Sequence, residues 1–162
     1  MARPRVVETD DGIQGEFNVG IYDQMQRRFR DKGWIETPEL LKHGIVHGRA
    51  LEIGPGPGYL GLEWLRLTEG TALTGLDISA DMIAIARRNA NEYGVTARAQ
   101  YVPSTGDRFP FDDNSFDAVF TNGSLHEWSN PQGMFGEMWR ALKVGGRLFI
   151  SDLRRDMIAP VR

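Results

Sequence analysis

The stretch that most constrains this chain is Glu52-Ile53-Gly54-Pro55-Gly56-Pro57-Gly58. Arg49-Ala50-Leu51 leads into it and, with Glu52 and Ile53, reads as a short strand. Tyr59 to Leu67 follows as a helix that sets Leu60, Trp64 and Leu67 on one face. A strand that turns on alternating glycines into a helix is the first βα unit of an open α/β sheet. Missing Cβ atoms let a ligand approach the backbone there, at the carboxyl end of the strand. Gly56-x-Gly58-x-x-Gly61 also satisfies the G-x-G-x-x-G pattern of diphosphate loops. Pro55 and Pro57, however, remove two N–H donors that a diphosphate would use, and an acid at Glu52 would repel it. The same acid suits a ligand that carries an ammonium and a sulfonium.

The rest of the chain repeats the strand–helix grammar. Ala72 to Asp77 reads as a second strand. Ser79 caps a helix from Ala80 to Tyr93, whose Met82, Ile83 and Ala86 face inward and which Gly94 closes. Ala97 to Val102 and Phe116 to Thr121 read as strands three and four, Pro131 to Leu142 as a helix. Gly145-Gly146 turns into a fifth strand, Arg147 to Ser151. Such alternation implies parallel pairing with right-handed crossovers, hence an α/β three-layer sandwich with a mostly parallel sheet. Upstream, residues 1 to 15 are polar. Phe17, Ile21, Met25 and Phe29 then recur at helical spacing, and Thr37-Pro38 starts a second short helix with Thr37 as its N-cap. The division expected is an N-terminal arm and helical cap over 1–44 and a cofactor-binding core over 45–162, within one domain.

Bulk properties exclude some functions. A hydrophobic share of 41% with 25% charged residues is globular composition. A formal charge of -3 gives no electrostatic reason to expect nucleic acid, and the local cluster Arg27, Arg28, Arg30 and Lys32 reads as a solvated helix face. The chain has no cysteine, which removes thiolate catalysis and disulfides and fits a cytoplasmic protein. No apolar run approaches the ~20 residues of a membrane span. His43 and His47 share an i, i+4 spacing, but Gly44 and Gly48 interrupt any helix there and no neighbouring acid completes a metal site.

The E-x-G-x-G-x-G loop resembles motif I of the class I, Rossmann-like S-adenosylmethionine-dependent methyltransferases. Four further segments resemble that family in order: Asp77 ending the second strand, Ile78-Ser79-Ala80-Asp81-Met82 after it, Phe109 to Val119 as an L-P-F-x-D-x-S-F-D-x-V run, and Leu142-Lys143-x-Gly145-Gly146-Arg147-Leu148 before the fifth strand. The likeness spans roughly residues 45 to 155 and points to the small-molecule subgroup that includes the quinone-biosynthesis C-methyltransferases. It implies that Glu52, Gly54, Gly56 and Gly58 cradle S-adenosylmethionine, and later its product S-adenosylhomocysteine. Asp77 would then accept the ribose hydroxyls, Ile78 and Met82 would flank the adenine, and Asn122 and Gly123 would meet the methionine end. Tyr22, from a helical lid, could bond the methionine carboxylate or simply pack in the helix core.

Two departures stand out. The acid of the family's G-D-A segment falls on Thr105, so Ser104, Thr105 and Gly106 are expected to meet the adenine edge by hydroxyl and backbone, with Asp107 as a substitute after a loop shift. The family fold has seven strands, whereas this chain ends about ten residues after strand five. Strands six and seven are therefore expected to be missing, and an exposed edge at Phe149-Ile150 calls for a longer protein, a second copy or another chain to cover it. Methyl transfer needs an acceptor positioned and, where it is protonated, deprotonated. His126, in the loop after strand four, is the expected base, with a hydrogen bond to a backbone carbonyl as the bland alternative. Glu127 could bind a cationic acceptor or the methionine ammonium, or stand simply as a surface acid. Trp34 and Trp128 could shape an acceptor pocket, and Trp64 and Trp139 read as core. The activity implied is methyl transfer to a small-molecule acceptor. Its alternatives are non-catalytic binding of adenosylmethionine or adenosylhomocysteine, and NAD-dependent oxidoreduction.

Overall fold

A computed structural model describes residues 11–104 and 108–152. The first strand, β1 (Arg49–Ile53), and the first crossover helix, α3 (Tyr59–Leu67), fall where the sequence places them. They are preceded by α1 (Glu16–Asp31) and α2 (Thr37–Lys42). Then follow β2 (Ala72–Asp77), α4 (Ala80–Glu92), β3 (Ala99–Pro103), β4 (Phe116–Asn122), a 3-10 turn at Leu125–Glu127, α5 (Pro131–Ala141) and β5 (Leu142–Ser151). The strand order is β3-β2-β1-β4-β5, and every pairing is parallel. The chain therefore winds outward from β1 to β3, then crosses to β4 on the other side of β1. Loops after β1 and β4 diverge at that reversal and leave a crevice, where open α/β sheets place ligands.

Two apolar layers sandwich the sheet. On one side Ala50, Leu62, Trp64, Leu65, Leu73, Ile83, Ala86 and Phe120 pack together; on the other Leu51, Ile53, Phe109, Phe116, Val119 and Met138 do. The first layer includes Leu40 from α2, so the cap and the sheet share a core. Trp64 is fully buried and its indole N–H donates to the Ile45 carbonyl at 2.7 Å. Such a pairing lets a large aromatic enter a core without an orphaned donor.

Several local expectations need correction. Thr37 stands inside α2 rather than at its cap, and its hydroxyl donates to the Leu60 carbonyl. β5 starts at Leu142, directly after α5, and a register shift between Phe116 and Ala118 absorbs the Gly145-Gly146 turn. Trp139 is 77% exposed, not core: α5 buries Met134, Met138 and Ala141, and residue 139 lies one position off that stripe. Leu67 is half exposed at the end of α3. Within the basic cluster, Arg27 bonds Glu92 and Asn89, and Arg30 bonds Asp31 and Tyr93, so these two cations serve the fold.

Candidate functional site

Above the carboxyl ends of β1, β2 and β4 lies a cavity of about 420 Å³. That is within the usual range of small-molecule sites. Gly54 and Gly56 floor it, and Asp77, Ile78 and Met82 wall it on the β2 side. The loop after β4 supplies Gly123, Ser124, His126, Glu127, Trp128 and Ser129, and the α5 end adds Asn130 and Met134. Tyr22 of α1 closes it from above together with Gly12 and Ile13. Eleven of the residues proposed from sequence therefore converge here: Gly54, Gly56, Asp77, Ile78, Met82, Ser104, Gly123, Tyr22, His126, Glu127 and Trp128.

The glycine loop is fastened by its own amides. Gly54 N–H donates to the Leu76 carbonyl at 2.9 Å, Gly56 N–H to Asp77 Oδ2 at 3.0 Å, and Gly58 N–H to the Pro55 carbonyl at 2.9 Å. Pro55 and Pro57 have no N–H to offer. All three glycine donors of 54–58 are thus spent within the protein, which leaves a poor cradle for a diphosphate. Gly54 has φ 64, and a Cβ there would stand 2.6 Å from the Cβ of Ser124. Only glycine lets the β1 and β4 loops approach this closely.

Asp77 is 8% exposed and holds the β1 and β2 turns together, since Oδ2 takes the Gly56 N–H and Oδ1 the Ser79 N–H at 2.9 Å. Burial raises its pKa, against these backbone donors, which lower it. The carboxylate has about four acceptor directions, and the backbone N–H groups of Gly56, Ser79 and Ile78 do not fill them, so it can still receive a hydroxyl donor from a ligand in the cavity. Ile78 and Met82 flank it with apolar surface, and Ser104, whose N–H donates to the Asp77 carbonyl, lies beside them.

Four of the proposed residues, Glu52, Gly58, Asn122 and Trp34, do not line the cavity. Glu52 lies beneath the loop: on β1 it shares a face with Ala50, while Leu51 and Ile53 take the other. Its carboxyl is 3% exposed, abuts Gly61, and leaves Oε2 without a hydrogen-bond partner. Burial and, secondarily, the Asp77 charge push Glu52 up to about 8. It is therefore mostly a neutral acid at neutral pH, and the expectation that its charge selects the ligand is corrected. Gly58 is buried at the left-handed cap of α3, and Asn122 is exposed at the end of β4. Thr105, Gly106 and the substitute Asp107 lie outside the described residues. Trp128 lines the cavity, stacked edge-on against Phe135, whereas Trp34 is 62% exposed and away from it.

His126 is held by a residue that sequence reasoning passed over. Its backbone N–H donates to Asp152 Oδ2 at 3.0 Å, and its Nδ1 lies 2.9 Å from Asp152 Oδ1. Its Nε2 lies 3.2 Å from Glu127 Oε1. The bland carbonyl partner is thus replaced by a carboxylate. Gly12, Ile13 and Met134 were also missed as lining residues, because each belongs to a segment that only the tertiary fold brings to the crevice.

Residues 51–150 match the family described as the methyltransferase domain. Among curated sequences, the ubiquinone/menaquinone biosynthesis C-methyltransferase UbiE of Enterobacter sp. (strain 638) is 28% identical over 120 residues, covering 73% of this chain and 48% of its own length. The chain thus spans about half the length of the curated relatives it matches. A SAM dependent methyltransferase from Aquifex aeolicus superposes with a TM-score of 0.68 at 25% identity, over 78% of this chain and 70% of its own. A Methanococcus maripaludis protein reaches a TM-score of 0.78 at 22% identity, over 92% of this chain and 67% of its own, a likeness of fold.

Proposed function

The chain belongs to the methyltransferase-domain family, and from that membership we propose that it transfers a methyl group from S-adenosylmethionine to a small-molecule acceptor. The residues of the cavity fit that cofactor. Asp77 would take the ribose hydroxyls, Ile78, Met82 and Ser104 would bound the adenine, and Gly54, Gly56 and Gly123 would let the methionine arm lie against backbone. Tyr22 would close over it from α1. When bound, adenosylmethionine supplies a methyl carbon already activated by its sulfonium, for in-line displacement by an acceptor.

The single observation that carries this reading is the closed hydrogen bonding of the 54–58 loop, with Asp77 buried beside it. A dinucleotide would need free amides at that turn. A phosphate-free nucleoside needs only close approach and an acceptor for its hydroxyls, and both are offered.

The protein's own task is then to hold the acceptor and manage its proton. Trp128 and Met134 give the acceptor end an apolar surface, and His126 with Glu127 gives it a polar one. We read His126 as the group that receives a proton from the acceptor, and residues 1–44 as a cap on a core of 45–162. An acceptor with a flat apolar face and an ionisable hydroxyl suits this lining. The relatives' naming for quinone biosynthesis makes reduced quinone rings the first to try. No helix among the described residues is long and apolar enough to cross a membrane. With no cysteine and a net charge of -3, a cytoplasmic enzyme acting on a small molecule rather than nucleic acid is the reading we favour.

Turnover decides it. With methyl-tritiated adenosylmethionine and a panel of benzoquinols, naphthoquinols, phenols and amines, label is expected in at least one acceptor, with adenosylhomocysteine released in equal amount. Adenosylhomocysteine binding without label in any acceptor would favour the non-catalytic reading. No binding of either nucleoside would remove both.

A further inference from the structure

We propose that Asp152 is a positioning residue for this site: it fixes His126 as the Nδ1–H tautomer and so presents Nε2 as the basic nitrogen. The proposal rests on the methyl-transfer reading above for its purpose, but its geometry is independent of it.

Asp152 follows directly on β5, and His126 lies in the 3-10 turn that follows β4. The parallel pairing of Asn122 with Ser151 brings these two strand ends together. Asp152 then grips His126 at two points, Oδ2 on the backbone N–H and Oδ1 on Nδ1. A backbone N–H can only donate, and a carboxylate can only accept, so the ring nitrogen that faces Oδ1 must carry hydrogen. Two bonds from one carboxylate also remove the freedom of the ring to turn about its side chain. The side chain of Asp152 is 11% exposed, against 27% for His126 and 31% for Glu127, so this contact is the sheltered one.

The partner bond on one imidazole nitrogen decides the state of the other. With Nδ1–H pinned, Nε2 is the nitrogen left to exchange a proton: its 3.2 Å approach to Glu127 Oε1 is a proximity of charges without hydrogen-bond geometry, unlike the Nδ1–Asp152 bond, and so fixes no hydrogen on Nε2 in the neutral ring. A proton that leaves an acceptor hydroxyl passes to Nε2 and gives an imidazolium between Asp152 and Glu127, while the acceptor oxygen or its conjugated carbon keeps the electron pair. The imidazolium then returns the proton to water. The arrangement follows the logic of hydrolase triads, in which a buried acid orients a histidine without itself taking the proton.

The test reads the ring directly. Long-range proton–nitrogen NMR of protein labelled at its three histidines, with His126 assigned by loss of its signals in His126→Gln, identifies the neutral tautomer at the alkaline plateau. Wild type is expected to show Nδ1–H. Asp152→Ala and Asp152→Asn are expected to revert to Nε2–H, since alanine offers no acceptor and asparagine has one oxygen for two donors. With a quinol or phenol acceptor from the panel, kcat falls about 10²-fold in both variants, at the lower end of a positioned base's worth, with KM for adenosylmethionine unchanged. A wild-type Nε2–H form, an unaltered tautomer in the variants, or equal kcat would overturn the proposal. Calorimetry with adenosylhomocysteine on the same three proteins separates the two claims: its failure in wild type counts against the function, and the tautomer answers for Asp152 alone.

Discussion

Glu52 shows how burial changes what an acid beside a glycine loop can do. As an acid in a cofactor loop it invites a charge–charge reading. Its strand neighbours reverse that reading, because Leu51 and Ile53 fill one sheet face and send Glu52 to the other, beneath the loop. The alternation was visible in the sequence. What it could not show is that Gly61 and Leu73 close over the carboxyl, or that Asp77 comes near enough to oppose its ionisation. The consequence is measurable. In the unfolded chain a glutamate releases its proton near pH 4.3, whereas folded Glu52 keeps it up to about 8. The native state therefore binds more protons than the unfolded one between these values. Its stability falls as pH rises through that window, with a limiting slope of about 1.4 kcal/mol per pH unit. Glu52→Gln is neutral throughout and lacks this contribution. Urea unfolding at about pH 5.5 and about pH 7.5 should show wild type losing about 1 kcal/mol or more relative to Glu52→Gln; parallel losses in the two proteins would mean that Glu52 is ionised in the fold.

At the scale of elements, α1 is where periodicity misled. Phe17, Ile21 and Met25 recur as a core-facing stripe would, yet they are 78%, 53% and 38% exposed. The opposite face is the buried one, and it centres on a charge. Asp23 is 5% exposed and receives the Tyr59 hydroxyl at 2.8 Å, the Asn89 amide at 2.9 Å and the Arg88 guanidinium at 2.7 Å. Of the two buried residues of α1, Val19 and Asp23, only Val19 is apolar, so the inward side leaves little hydrophobic signature in the helix's own sequence. β1, α3, β2 and the Ser79 cap of α4 were legible because each is set by local rules: glycine turns, capping and apolar period. The Asp23 network spans three helices and is a property of their packing. It also fastens the helix that carries Tyr22 over the cavity. Asp23→Ala takes the acceptor from the buried Tyr59 hydroxyl and one partner each from the Asn89 amide, which keeps the Pro57 carbonyl, and the half-exposed Arg88, and should cost about 1–3 kcal/mol. Hydrogen exchange should quicken throughout α1 while β1 and β4 remain protected, and adenosylhomocysteine should bind more weakly. Unchanged exchange in α1 would show that other contacts hold the cap.

The whole molecule places its cavity where the sheet reverses direction, so the ligand touches groups far apart in sequence: Ile13, Gly56, Asp77, Ser124 and Met134. A ligand in such a place ties the cap, the β1 and β2 turns and the β4 loop into one unit, and its binding energy adds to the stability of the fold. For a ligand that binds only the native state, the gain is RT ln(1 + [L]/Kd), about 2.7 kcal/mol at a hundredfold excess over Kd. For a domain of this size each kcal/mol raises Tm by about 2–4 °C, so adenosylhomocysteine at that excess should raise it by about 5–10 °C. Because the Gly54, Gly56 and Gly58 amides are already paired with Leu76, Asp77 and Pro55, NAD at the same concentration should leave Tm where it was. A thermal scan with the two ligands side by side distinguishes a site built for a nucleoside without phosphate from one that merely shares the glycine pattern. A shift with NAD and none with adenosylhomocysteine would require free loop donors that the folded turn does not offer, and would overturn the account of this cavity together with the function drawn from it.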